Sequence, residues 1–318
     1  MYKLGIDLGG TNIVAGVVDE NYKIVATAKR KTACPRPTSE IVDDMAACAL
    51  EAIKNAGLEN EDIEAAGVGS PGSINPVDGV VIRSDNLDFS EVPLVSMLKE
   101  RTGIDFYIEN DANAAAYGEF IAGAGKGTKN FLMITLGTGV GGGVIIDGKI
   151  YTGFNYAGAE IGHTVISMNG EMCNCGRLGC WEAYASATAL IRQTKQAMIK
   201  YADTVMWKLC NNDINAVNGR TAFDAMRKGD RAGKMVVDKY IEYLATGIAN
   251  CINTFQPEMI CIGGGVSKEG DNLIVPIREL VDGENYARNN KEKAVINAAQ
   301  LGNDAGIIGA AYICDLYK

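Results

Sequence analysis

The sequence predicts an α/β protein of two domains, on three observations. Its 318 residues are about twice the roughly 150 residues of a typical domain. Two segments, one starting near Lys3 and one at Asn130, each open with an apolar strand, a glycine-rich turn, a second strand and a hairpin. Later stretches carry apolar residues at helical spacing. The two openings are alike in architecture and not in sequence.

The first segment, KLGIDLGGTNIVAGVVDENYKIVATAKRKT, reads as three short β-branched strands separated by GGTN and by DENY. From Ser39 to Ala56, apolar Ile41, Met45, Cys48, Ala49, Ala52 and Ile53 predict an amphipathic helix with Ser39 as N-cap and Gly57 as its stop. AAGVGSPG and FYIENDAN supply two further strands that end in polar loops, so residues up to about 110 form a mixed sheet with helices. NFLMITLGTGVGGGVIIDGKIYTG begins the second strand group, with Asp147-Gly148 as a hairpin turn. Ala185 to Lys200 and Thr221 to Phe255 read as helices, interrupted at Gly219 and Gly229. MICIGGGVS is a buried strand feeding a turn, and DAGIIGAAYICDLY is a closing helix. A tether rich in proline is absent from the sequence, so direct crossings should join the domains.

A formal charge of −9, from 30 Lys and Arg against 39 Asp and Glu, disfavours a nucleic-acid or anionic-membrane partner. No basic N-terminal region precedes a long apolar run, and none approaches a membrane span, which points to the cytoplasm. Nine cysteines form an odd count thinly spread, consistent with a reducing compartment and with some thiols recruited to metal.

Three glycine turns follow strands. Asp7, Gly9, Gly10, Thr11 and Asn12 place backbone amides and a hydroxyl where phosphate oxygens can approach, with Asp7 able to hold hydrated Mg²⁺; a tight hairpin turn is the other reading. Gly137 to Gly143 packs five glycines into seven residues, including Thr138 and Gly139. Gly263, Gly264, Gly265, Val266 and Ser267 form the third. Together they suggest several sides of one nucleotide, although no GxxxxGK[ST] run or dinucleotide fingerprint is present. In Glu109-Asn110-Asp111-Ala112-Asn113, Asp111 is either a helix N-cap or the carboxylate that accepts a hydroxyl proton during phosphoryl transfer, with Asn110 on a neighbouring hydroxyl.

The strongest local signal is His163, the sole histidine, ten residues before Cys173-Asn174-Cys175, with Cys180 five residues further on. One imidazole and three thiolates in so short a glycine-rich loop predict a closed, structural zinc site. The alternative is a set of reduced thiols beside an unrelated histidine. Glu160 and Glu182 flank this loop, where they either bind sugar hydroxyls or sit solvated. The second imidazole nitrogen of His163 needs a partner, for which a substrate hydroxyl would serve. Cys34, Cys48, Cys210, Cys251, Cys261 and Cys314 read as packing residues. The helical region around Trp207 and Tyr240 is either core or a subunit interface.

These motifs, DLGGTN, ENDANAAAYGE, LGTGVGGGVI, EIGH and CNCGRLGCWE in this order, closely resemble the ROK family of bacterial sugar kinases and repressors, in particular its glucokinases, from Leu4 to Tyr312. The zinc-loop motif is highly specific, whereas the glycine loops are shared with the wider ATPase superfamily. The resemblance implies a two-domain actin-like, ribonuclease-H-like and hexokinase-like ATPase fold with a cleft between the domains, where ATP and sugar meet. Residues 1–110 with 302–318 would make the smaller domain and 111–301 the larger, which carries the zinc loop 163–180. Asp111 matches the catalytic base. Asp7, Gly9, Gly10, Thr11 and Asn12 match the first phosphate loop, Thr138 and Gly139 the second, and Gly264 and Gly265 the adenosine-side turn. Gly72, Asn86, Asn110, Asp111, Glu160, His163 and Glu182 match the sugar-binding set, and His163, Cys173, Cys175 and Cys180 the zinc ligands.

The implied activity is ATP- and Mg²⁺-dependent phosphorylation of the 6-hydroxyl of glucose, a step of glycolysis, by a homodimer or homotetramer. Kinases for N-acetylmannosamine, N-acetylglucosamine or fructose share every motif, and Ser73-Ile74-Asn75 and the Leu-Asp after Asn86 depart from the glucokinase pattern. A sugar-sensing regulator without catalysis is the reading from another class. The family's repressors carry a helix-turn-helix ahead of this loop, and only six residues precede Asp7. A zinc hydrolase would need an open coordination position, which four protein ligands do not leave.

Overall fold

The computed structural model describes residues 1–317. The chain opens with β1 (Tyr2–Leu8), β2 (Asn12–Val18), β3 (Ile24–Lys31), α1 (Thr38–Asn55) and β4 (Ile63–Ser70). Helix α1 starts one residue before the expected cap. Pro37 is its N-cap and supplies no side-chain hydrogen bond, and Ser39 lies inside the first turn. Then come β5 (Ser73–Asn75), β6 (Val80–Ser84), β7 (Phe89–Val92), α2 (Leu94–Thr102), β8 (Phe106–Asn110) and α3 (Asp111–Ala122). The sequence reading proposed nothing for residues 73–102, where three short strands form a small antiparallel sheet of order β5-β6-β7.

The chain continues through β9 (Phe131–Leu136), β10 (Val140–Ile146) and β11 (Lys149–Ile150). Asp147 and Gly148 join the last two with both φ values positive, 49° and 77°, the conformation a two-residue hairpin needs to match strand twist. Beyond the 151–181 loop follow α4 (Glu182–Ala185), α5 (Ala187–Lys200), α6 (Met206–Leu209), α7 (Thr221–Arg227) and α8 (Arg231–Phe255). The last elements are β12 (Met259–Gly264), α9 (Asp271–Glu284), β13 (Val295–Ala298), α10 (Asp304–Tyr312) and α11 (Cys314–Tyr317). The single closing helix of the sequence reading is thus two, broken at Ile313. Among the described residues, no helix is long and apolar enough to cross a membrane.

Two compact units divide the chain. The first comprises Met1–Leu132, Gly143–Ala159 and Gln300–Lys318; the second comprises Met133–Gly142 and Glu160–Ala299. The first unit holds a five-stranded sheet of order β3-β2-β1-β4-β8. β1, β4 and β8 run parallel, and β2 and β3 complete it antiparallel. Side chains alternate across β1. Leu4 and Ile6 enter a core with Ile41, Met45 and Ile53 of α1, while Gly5 faces the other way, against α10.

That second face is closed by backbone contact. A methyl group on Gly5 would lie 2.0 Å from the Ile307 carbonyl oxygen, and one on Gly67 would lie 2.0 Å from that of Ala310. Helix α3 meets α10 as closely, since a Cβ on Gly309 would come within 1.7 Å of the Ala114 oxygen. Such a seam buries little side chain but fixes α3 against the sheet by packing alone. Gly309→Ala is expected to destabilise the protein by about 3 kcal/mol or more, because the helices must part to admit the methyl. Gly283→Ala in α9, where nothing lies within 4 Å, is expected to be neutral or mildly stabilising. Thermal melts of the two variants check this, and equal melting temperatures would refute the seam.

The second unit contains β12 and β13 in parallel, the 133–136 part of β9 and the 140–142 part of β10, with α4 to α9. Its long helix α8 is capped by Asp230, whose carboxylate accepts from Gly233 N at 2.7 Å. Tyr240 on α8 is fully buried and its hydroxyl donates to the Ala185 carbonyl at 2.7 Å. It is a core residue, which settles that alternative for this position; Trp207 is half-buried.

Candidate active site

In the first unit, the turn after β1 is tied by Gly9 N donating to Asn12 O at 2.9 Å. Thr32, which no sequence motif marked, is fully buried beneath it. Its hydroxyl donates to Gly9 O at 2.6 Å and its amide to Thr11 O at 3.0 Å. Gly10 and Thr11 remain exposed. Asn12 Oδ1 is buried with no hydrogen-bond partner among the described residues, an acceptor awaiting a donor such as an amide, a hydroxyl or metal-bound water.

Asp111 heads α3 but does not cap it. The cap is Asn110, whose Oδ1 accepts from Ala112 N at 2.9 Å and Asn113 N at 3.2 Å. The reading of Asp111 as N-cap is therefore replaced by a carboxylate whose Oδ1 accepts from Ala112 N at 2.9 Å. Asn110 spends its Oδ1 on the helix and donates Nδ2 to Gly72 O at 3.1 Å. Gly72, at φ 109°, could not carry a side chain, since a Cβ there would sit 2.2 Å from the Arg83 oxygen. Asn86 is exposed, with its Cβ 4.0 Å from the position a Cβ on Gly10 would take.

Burial raises the pKa of both acids here. Asp7 is pushed up to about 6, by desolvation first and by the negative charge of Asp111 second. The Asp111 pKa is also raised by desolvation, with the Ala112 amide working against it. A carboxylate in this state is a stronger base than one free in water. Preceding it, Glu109 is almost fully buried and accepts from Asn110 N at 2.8 Å, Asn113 Nδ2 at 3.0 Å and Tyr317 Oη at 2.5 Å. No local pattern marks this anchor, because its third partner is 208 residues away.

In the second unit, His163, Cys173, Cys175 and Cys180 come together with all four ligand atoms within 4.8 Å of one another. Cys173 Sγ lies 3.6 Å from His163 Nδ1, and Cys175 Sγ lies 3.6 Å from Cys180 Sγ. Those separations match the edges of a tetrahedron with metal bonds of about 2.0–2.3 Å, so the donor set fits Zn²⁺. The histidine thus lies among the three thiols and not apart from them. Cys175 is exposed and its pKa is lowered, chiefly by the Arg177 amide, whereas Cys173 is buried and pushed up to about 12 by desolvation. Among the other cysteines Cys34 is half-buried and the rest are buried, as packing residues should be.

Thr138 and Gly139 lie in the turn between β9 and β10. Glu182 does not sit solvated there: its Oε2 accepts from Val140 N at 3.0 Å, and Cys173 Sγ lies 3.5 Å from its Oε1. Glu160 is exposed and precedes the short turn Ile161–His163, with its carbonyl accepting from His163 N at 3.1 Å. The third glycine turn abuts the second. Gly264 adopts φ 87°, and a Cβ on it would come 2.4 Å from Leu136 O, while Gly265 faces open space.

Among known proteins, the profile of the ROK family matches residues 3–316. The chain is 40% identical over 311 residues to a glucokinase of Thermotoga maritima, covering 98% of this chain and 96% of that one. A crystal structure of a ROK family glucokinase from Streptomyces griseus in complex with glucose and AMPPNP is similar at TM-score 0.82 and 36% identity, over 98% of this chain and 99% of that one. The ROK hexokinase of Thermus thermophilus gives TM-score 0.81 at 30% identity over 100% of both chains.

Proposed function

The chain belongs to the ROK family and has the two-domain actin-like ATPase fold of its hexokinases, and from that premise we propose that it phosphorylates the 6-hydroxyl of glucose with ATP, Asp111 acting as general base. The observation that carries this reading is the pairing of two acids of raised pKa, Asp111 at the head of α3 and Asp7 at the end of β1. Asp111 takes the hydroxyl proton as the oxygen attacks the terminal phosphorus, whose bond to the β–γ bridging oxygen breaks so that ADP leaves, and aspartate is the only base that this step needs.

Substrate-facing roles follow the chemistry each unit carries. In the first, Asn86, Asn110 and the Gly72 backbone are assigned to sugar hydroxyls, and the turn from Gly9 to Asn12 to phosphate. In the second, Glu160, His163 and Glu182 are assigned to sugar, Thr138 and Gly139 to phosphate, and Gly264 and Gly265 to the adenosine side. Asp7 and the unpartnered Asn12 Oδ1 are hard oxygen donors suited to hydrated Mg²⁺. When bound, that ion neutralises charge on the phosphates. Zn²⁺ held by His163, Cys173, Cys175 and Cys180 would fix the loop and supply no reactive position. Bonding through Nδ1 leaves His163 Nε2 for a sugar hydroxyl. The odd, thinly spread count of nine cysteines supports a reducing cytoplasmic location.

ADP release with Mg-ATP, measured against glucose, mannose, fructose, N-acetylmannosamine and N-acetylglucosamine, tests the proposal. Glucose is expected to be the best substrate. Preference for an N-acetyl sugar would overturn the substrate, and absence of turnover on all five by folded, metal-loaded protein would overturn the activity.

A pH dependence follows with opposite signs for activity and stability. Both acids work ionised, so kcat/KM is expected to fall as pH drops below about 6. Because Asp7 binds its proton more tightly folded than at its usual 3.8, its contribution to stability is full below pH 3.8 and is lost as pH rises through about 6. In Asp111→Asn the Asp7 midpoint should move down but not return to 3.8, since burial is the larger cause. Carboxyl NMR titration reads this, and an unmoved midpoint would contradict the coupling.

A further inference from the structure

We propose that the metal-ligating loop positions the nucleotide-phosphate turn, and that Glu182 is the residue through which it does so; the inference rests on the reading of residues 137–140 as a phosphate turn. Both polar groups of the Val140 backbone meet residues that flank this loop. Its amide donates to Glu182 Oε2 at 3.0 Å. Its carbonyl oxygen lies against Gly162, where a Cβ would come within 2.1 Å. Gly139 is closed in by the same carboxylate, since a Cβ there would lie 2.2 Å from Glu182 Oε2. On the far side of the turn, Gly137 O accepts from Ala187 N at 2.9 Å, at the start of α5. The turn is therefore gripped at both ends by the chain on either side of the cysteines.

Glu182 is held in turn by its neighbours. Cys180 precedes it by two residues and is a ligand of the cluster. Trp181 is fully buried, donates Nε1 to Tyr243 O at 2.8 Å and fits over Gly247, where a Cβ would fall 2.0 Å from the indole. With Cys180 fixed from one side and Trp181 locked on α8 from the other, the Glu182 carboxylate has a defined place to offer the Val140 amide. Gly137, Thr138 and Gly139 have side chains too small to pack the turn, which is otherwise tied by Gly137 N donating to Gly139 O at 3.1 Å.

The test measures AMPPNP affinity by calorimetry with Mg²⁺ and without sugar, so that no sugar contact enters. Glu182→Ala is expected to bind about tenfold more weakly. Glu182→Gln, which keeps a carbonyl oxygen for the Val140 amide, is expected to stay within about twofold of the parent. Amide exchange at Val140, read without nucleotide, should accelerate in Glu182→Ala and not in Glu182→Gln. Stripping the metal by chelation should weaken AMPPNP binding and expose the Val140 amide in the same direction. Unchanged affinity and exchange in Glu182→Ala would overturn the proposal, as would equal losses in both variants, or metal removal that leaves AMPPNP binding intact. If the parent fails to bind AMPPNP, the kinase reading falls, and the Val140 exchange rates still decide whether Glu182 holds the turn.

Discussion

Asp111→Ala is expected to lower kcat on the order of a thousandfold or more while leaving the fold intact. The two halves of this result have separate causes. Turnover fails because no other group in the head of α3 can take the proton: Asn110 has its oxygen committed to Ala112 and Asn113, and the Glu109 carboxylate is occupied by Asn110, Asn113 and Tyr317. The helix survives because its cap is Asn110, one residue earlier, and not the residue removed. Deleting a buried acid also relieves the desolvation that raises its pKa, so the melting temperature should hold or rise slightly. Steady-state kinetics with a thermal melt measures both, and near-normal turnover would remove Asp111 from the role of base.

Cys180→Ser has the second large effect. Purified protein is expected to contain about one zinc per chain, and the variant to lose at least about a hundredfold in metal affinity, since serine oxygen is a poor replacement for a thiolate. Cys180 is fully buried, and it belongs to a small cluster with Cys173, Ala183 and Tyr184 that has few apolar partners of its own. A bound metal would make such a loop foldable, so the second unit is expected to melt about 5–10 °C earlier in the variant. Metal analysis with calorimetry reads the two together. Full metal content in the variant, or zinc-free parent protein with an unchanged melt, would refute the assignment.

Much of this was legible in the sequence, for reasons that differ by region. The strands before the glycine turns are runs of β-branched residues, and α1 repeats apolar positions at a period only a helix explains. The cysteine spacing carried the metal cluster, because four ligands so close in sequence have little freedom to lie apart in space. What escaped were short or locally ambiguous elements. The strands of the 73–92 sheet are three to five residues long, too short for alternation to declare itself. Helix α9, for which the sequence reading proposed nothing, carries Pro276 in its interior, a residue that weakens a helical pattern. Local pattern also misplaced the α1 cap at Ser39, where Pro37 fixes the entry instead. Around the site, Thr32, Glu109 and Tyr317 were invisible because their partners come from distant chain, and Glu182 was read as a sugar ligand without its bond to Val140.

The glycine seam beneath α10 has a consequence for how the protein is made. β1 leaves the ribosome about 300 residues ahead of α10, yet Gly5 and Gly67 are shaped to receive Ile307 and Ala310. At roughly 5–20 residues per second, the early strands wait on the order of 15–60 s for the helix that covers them. During that interval one face of the nascent sheet has no native cover and is a natural client for a chaperone. Catalytic competence therefore waits until α10 docks and α3, with Asp111 at its head, acquires its seat.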